Sequence, residues 1–142
     1  MASFNKFNSF AAYMPNGSVA LAGDTLKVLL SNTVPIATNA VYTDISGNEL
    51  GSGNGYTTGG ATVTTTSSTQ TGGTYKYLAS LANPTWTATG SMGPFRYAVM
   101  YDSSAATKVL IGWWDYGSSL TLASTNTFTI TLDATNGVFQ LA

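Results

Sequence analysis

Residues 93–117 read GPFRYAVMYDSSAATKVLIGWWDYG, and their reading decides the fold. Phe95 to Asp102 is rich in aromatic and branched residues, Ser103 to Thr107 is small and polar, and Lys108 to Tyr116 is apolar again. That pattern is strand, loop, strand. A hairpin closed with Asp102 opposite Lys108 puts Phe95, Tyr97, Val99 and Tyr101 on the face of Val109, Ile111, Trp113 and Asp115. Arg96, Ala98, Met100, Leu110, Gly112 and Trp114 then share the other face. Both faces are largely apolar, so each must be covered, one by the core and the other by a further layer or a partner subunit. In this register Arg96 sits opposite Trp114, a guanidinium–indole stack of about 0.5 to 2 kcal/mol.

Working outward, the stretch before the hairpin carries strand patterns. Leu26, Val28 and Leu30 alternate with Thr25 and Lys27; Ala61 to Ser67 is a hydroxyl-rich edge strand; Thr74 to Leu81 places Tyr75, Tyr77, Ala79 and Leu81 on one face; and Thr85 to Thr89 alternates around Trp86 and Ala88. After the hairpin, Leu120 and Leu122 and then Phe128, Ile130 and Leu132 alternate with Thr, which predicts a second hairpin. A turn over Asp133 to Gly137 leads to a last strand at Val138 to Leu141. Residues 39–60 form a long loop whose second half, GNELGSGNGYTTGG, holds six glycines. At the start, Phe4, Phe7, Phe10, Ala11 and Met14 recur at helical spacing after Ser3, and Pro15-Asn16-Gly17 ends the run. This predicts a short helix or arm over residues 1–17, its Phe face docked on the core. About eight strands at short spacing predict one all-β domain over residues 1–142, an antiparallel, jelly-roll-like β-sandwich.

Composition bounds the function. The chain has 142 residues, enough to bury roughly two-thirds of its unfolded surface in one core. Charged residues make up only 8%, against about 25% in ordinary soluble domains, so the surface is hydroxyl and amide rather than ionic. Little charge leaves little protection against self-association, which favours life inside a stable assembly. With a net charge of −1 and no basic cluster, no surface exists to track a phosphate backbone, and nucleic-acid binding is not expected. No stretch approaches the length of a membrane span, and residues 1–10 lack the pattern of a secretory signal.

The absence of His and Cys removes Ser-His-Asp and Cys-His nucleophile systems and the usual zinc, copper and iron sites. A carboxylate pair is the remaining route to catalysis. Asp102 and Asp115 fall near opposite ends of the hairpin, roughly 20 Å apart along the strand, too far to act together. Asp102 is expected to pair with Lys108. Asp44 to Glu49 offers oxygen ligands in a glycine-bearing loop, but without the dense Asp/Asn alternation of a calcium loop it reads as a turn. No catalytic residue, metal site or cofactor is expected.

The aromatic residues are the feature able to bind something. Trp113 and Trp114 are adjacent in a strand and point to opposite faces, so one of them needs a partner outside the core. Arg96, Met100, Leu110 and Trp114, with Phe4 and Phe7 of the arm, are the candidate interface with a partner, because Trp, Met and Arg are enriched at such contacts. Trp86, Trp113 and Tyr116 are the candidate platform of the alternative, a glycan-binding module stacking pyranose faces.

The segments MASFNKFNSF, DTLKVLLSNTVP, NGYTTGG, GPFRYAVMYD, LIGWWDYGSSLTL and FTITLDATNGVFQLA cover most of the chain. In them the sequence resembles small proteins encoded among the virion structural genes of tailed bacteriophages. Ala11 to Gly17, AAYMPNG, departs from the pattern by breaking with Pro where such relatives are expected to continue a charged helix. The resemblance, with the sandwich and the lack of catalytic residues, implies a capsid decoration (cement) protein: a homo-oligomer such as a trimer, made in the host cytoplasm and seated on the major capsid protein at the virion surface. A glycan-binding module of a head or tail fibre is the alternative reading, and a tail or baseplate component a weaker one.

Overall fold

The stretch 93–117 folds into the two longest strands of the chain, as its aromatic and β-branched content predicts. A computed structural model describes residues 2–79, 83–133 and 137–141. Its strands, in chain order, are β1 (Phe4–Lys6), β2 (Leu26–Ser31), β3 (Ala61–Thr62), β4 (Thr65–Thr71), β5 (Thr74–Ala79), β6 (Thr85–Thr87), β7 (Met92–Asp102), β8 (Leu110–Leu122), β9 (Thr127–Thr129) and β10 (Phe139–Leu141). The fold is all-β and antiparallel. A five-stranded sheet, β1-β8-β7-β2-β3, is accompanied by a three-stranded sheet, β10-β5-β4, and a β6-β9 pair. Leu81 and most of the expected turn at Asp133 to Gly137 lie outside the described residues.

The β7–β8 register differs from simple closure. The turn ends on Lys108 with φ of 50°, and the Asp102 amide donates to the Val109 carbonyl at 2.9 Å, one residue past Lys108. An irregularity between Met100 and Tyr101 adds a second residue, so Ala98 rather than Arg96 pairs with Trp114, and Val99 pairs with Trp113. The bulge moves Leu110 to the side of Val99 and Tyr101, while Val109 and Ile111 join Met100 on the other side. A second slip leaves Tyr97 opposite Asp115 but Phe95 opposite Leu120, so that Tyr116 to Ser119 bow out exposed.

The arm is mostly not helical. Phe4 to Lys6 is strand, paired with Trp114, Trp113 and Gly112 of β8, and the helix, α1, is limited to Phe10–Tyr13. The three-residue Phe spacing arises because a strand followed by a turn sends Phe4 and Phe7 to opposite faces of the sheet. The Phe4 ring lies 5.2 Å from Trp114, and Phe7 lies 4.5 Å from Trp113. Gly112 makes the first contact possible, since a Cβ there would come within 2.2 Å of the Phe4 ring. The expected docking of the phenylalanines is retained: Phe7 and Phe10 are buried.

Each apolar face has its own cover. On one side, Leu26, Val28, Leu30, Met100 and Ile111 pack with Tyr77, Trp86 and Phe10 from the other layer and the arm. On the other, Leu29, Val99, Tyr101 and Leu110 are closed over by Phe7 and Ile45, with Tyr42 alongside. The second layer foreseen for the hairpin is therefore the chain's own loop. The expected 120–132 hairpin is corrected as well: β8 runs on to Leu122, and β9 pairs with β6, Trp86 opposite Phe128. Thr125, at φ of 74°, donates its amide to the Ala88 carbonyl at 2.7 Å and turns the chain out of the large sheet.

Candidate functional site

Where the large sheet and the C-terminal strands part, they leave an apolar cavity of about 740 Å³. This is within the usual range of ligand pockets. Alternation along β8 aims Trp114 and Tyr116 into it; Phe4 enters from β1, Phe95, Arg96 and Ala98 from β7, and Phe128, Ile130 and Leu132 close the far wall. Tyr116 is 55% exposed, with its ring edge-on to Phe128 at 5.9 Å. Arg96, which lines the wall together with the polar Thr129, Thr131 and Asp133, is held from behind by a bidentate pair in which its Nε and Nη2 donate to the two Asp115 carboxylate oxygens at 2.7 and 2.8 Å. The Arg96 bonds, then the Gly117 amide, hold the Asp115 carboxyl below its ordinary range, and the same pair raises Arg96.

Three of the six expected interface residues meet here: Arg96, Trp114 and Phe4. Met100, Leu110 and Phe7 do not, since each is fully buried inside the fold. Arg96 does not stack on Trp114, because the register offset gives it Asp115 as partner and places its guanidinium 5.3 Å from the Tyr97 ring centroid. The glycan platform is not assembled either. Trp86 is buried between Tyr56 and Phe128, and Trp113 packs on Phe7 at the opposite face of the sheet, which leaves Tyr116 as the accessible member. Trp113 and Trp114 do point to opposite faces.

A second polar centre forms around Glu49, at the end of the stretch that the sequence presents only as a turn. Glu49, the chain's one glutamate, accepts from Tyr42 Oη at 2.5 Å, Tyr56 Oη at 2.6 Å and the Gly59 amide at 2.6 Å. Tyr56 Oη also accepts the Leu30 amide, and Tyr101 Oη donates to the Gly59 carbonyl at 2.8 Å. Burial and Glu49 together raise the Tyr42 and Tyr56 phenols well above the usual range, and burial, then Glu49, pushes Tyr101 up to about 12. The glycine-rich loop is thus fastened to β2 and β7. Gly60, at φ of +72°, lies where a Cβ would come within 1.9 Å of the Val28 carbonyl oxygen. A lone Glu among six glycines was the available signal. Asp44 behaves as the turn reading expects, accepting the Ala40 and Val41 amides at 2.8 and 3.1 Å.

Asp102 does not pair with Lys108. It is fully buried, its Oδ1 accepts the Ser104 and Ala105 amides at 2.8 and 3.3 Å, and the Lys108 ammonium lies 5.1 Å from the Tyr42 ring centroid. These side chains fasten turns and loops. No protein-family model matches the chain, and neither a curated protein nor a solved structure matches it.

Proposed function

We propose that the chain is a non-enzymatic structural protein of a tailed-phage virion, a capsid decoration protein that self-associates and braces capsomer contacts from the outer surface. The observation that carries this reading is the apolar cavity holding Phe4, Arg96 and Trp114, in a chain with 8% charged residues and neither His nor Cys. Burial is the interaction such a surface offers, and a contact of standard size takes about 800 Å² from each partner. The resemblance of its segments to virion proteins supports the same reading. The test is light scattering on the purified protein, followed by binding to capsids stripped of their surface proteins. A stable oligomer that adds to capsids, with both properties weakened by Trp114→Ala, is expected; a monomer that ignores capsids overturns the proposal.

The glycan-binding alternative retains one favourable observation, the exposed Tyr116 beside Trp114 in the same cavity. Glycan-array binding that disappears in Tyr116→Ala while the wild type stays monomeric would favour it over the first.

A further inference from the structure

Asp24 and Asp102 stand where the chain enters β2 and where it leaves β7. Asp102 is 0% exposed. Its Oδ1 is taken by two backbone amides, while Oδ2 is buried and has no partner as an ionised oxygen. The β2–β7 register sets Leu26 opposite Asp102, which puts Asp24, two residues earlier, on the same side of the ladder beside it, and a bond between the two carboxyls exists only if one of them carries a proton to donate. Asp24 is itself held in place, because its Oδ2 accepts the Ala20 amide at 2.5 Å. The cations of the neighbouring elements are engaged elsewhere. Lys27 on β2 directs its ammonium toward Gly59, Lys108 in the β7–β8 turn lies over Tyr42, and Arg96 on β7 holds Asp115.

Two carboxylates in contact, with no counter-ion and no water access at one of them, cannot both stay ionised without cost. We infer that Asp102 keeps its proton in the folded chain and donates it in a hydrogen bond to the Asp24 carboxylate, and that this carboxyl–carboxylate pair is a pH-dependent latch between the loop entering β2 and the β7–β8 turn. The two segments are already joined around it: Ser103 donates its amide and hydroxyl to the Thr25 carbonyl at 2.9 and 2.6 Å, and the Thr25 amide donates to Ser104 Oγ at 2.7 Å. Loss of that proton places like charges beneath those bonds and loosens them.

Burial, then the Asp24 carboxyl, pushes Asp102 up from 3.8 to about 6 against the pull of the two amides. A folded-state value above the unfolded one means that the latch contributes fully below about pH 4 and is lost as pH rises through about 6. The chain has no His and no Cys, so no other side-chain type has its ordinary titration between about pH 5 and 8.

The test is urea unfolding of the wild type and of Asp102→Asn from about pH 4.5 to about pH 7.5. Asn keeps the Oδ1 acceptor and supplies a permanent N–H toward Asp24. The folding equilibrium constant of the wild type, relative to Asp102→Asn, is expected to fall roughly ten- to a hundredfold across that range. Parallel pH curves overturn the inference. Asp24→Asn is the second variant, and it must flatten the pH response in the same way, so a failure of one variant to fold leaves the other to decide. Millimolar calcium is added as a control at the upper pH. Stabilisation of the wild type by calcium, absent in Asp102→Asn, would mean that the pair holds a cation instead, and the inference falls.

Discussion

Removing Glu49 should cost this fold more than removing any of its surface charges. In Glu49→Ala the Tyr56 hydroxyl, on a residue only 3% exposed, and the Gly59 amide both lose their acceptor, as does the better solvated Tyr42 hydroxyl. Hydrogen bonds to a charged group are worth about 1.5 to 3 kcal/mol each, and the exposed one less, so the loss is about 3 to 5 kcal/mol. For a chain of this size, that lowers Tm by about 8 to 15 °C. Glu49→Gln keeps one acceptor oxygen and should lose about half as much. Paired urea and thermal melts measure both variants. If Glu49→Ala lost less than about 1 kcal/mol, the Gly-rich loop would not depend on this carboxylate and the reasoning would be refuted.

The same phenols give an alkaline signature. Tyr42, Tyr56 and Tyr101 have folded-state values raised above their ordinary 10, so their stabilisation is complete below about pH 10 and is lost as pH rises further; Tyr56→Phe should reduce that loss in pH-dependent melts. Gly60→Ala, with φ of +72° and a Cβ inside contact of the Val28 carbonyl, should unfold the chain or cost more than about 3 kcal/mol, while Gly47→Ala, with open space, should stay within about 0.5 kcal/mol in urea titrations. Phe4→Ala should cost about 2 to 4 kcal/mol, and Gly112→Ala should be tolerated better in the Phe4→Ala background than alone, as a double-mutant cycle will report. Arg96→Ala, which breaks a partly exposed pair, should leave Tm nearly unchanged in salt, and its small effect should vanish as pH falls and Asp115 takes up its proton.

The fold class and the central hairpin were legible in the sequence because alternation and turn residues are local signals. Leu26 to Leu30, Trp86 between threonines and the apolar run around Val99 each state their own strand. Register was not legible, because it depends on the positive φ of Lys108 and the bulge at Met100, neither of which changes composition. The arm was misread for a related reason: Phe4 and Phe7 have helical spacing, and only Gly112, far along the chain, shows that the Phe4 ring lies flat on a strand. The cavity residues Arg96, Trp114 and Phe4 were found, but Met100 and Leu110 were assigned to one outer face, whereas the bulge sends Met100 into the core with Ile111 and Leu110 under the loop through Ile45. Glu49 was read only as part of a turn because its partners, Tyr42, Tyr56 and Gly59, are brought round it by the folded loop rather than by sequence pattern.

The pairing of β1 with β8 also sets an order of events during synthesis. Asn5 and Trp113 are 108 positions apart, so β1 is made well before the strand it pairs with. β2 waits likewise for β7, with Leu30 opposite Ala98. Until β7 and β8 emerge, Phe4 and Phe7 have no sheet to join and the Leu26–Leu30 strand has only the two residues of β3 beside it, and contacts of such long range close slowly. The nascent chain therefore carries these apolar segments uncovered until β7 and β8 have been made, at a stage when its low charge offers little resistance to aggregation.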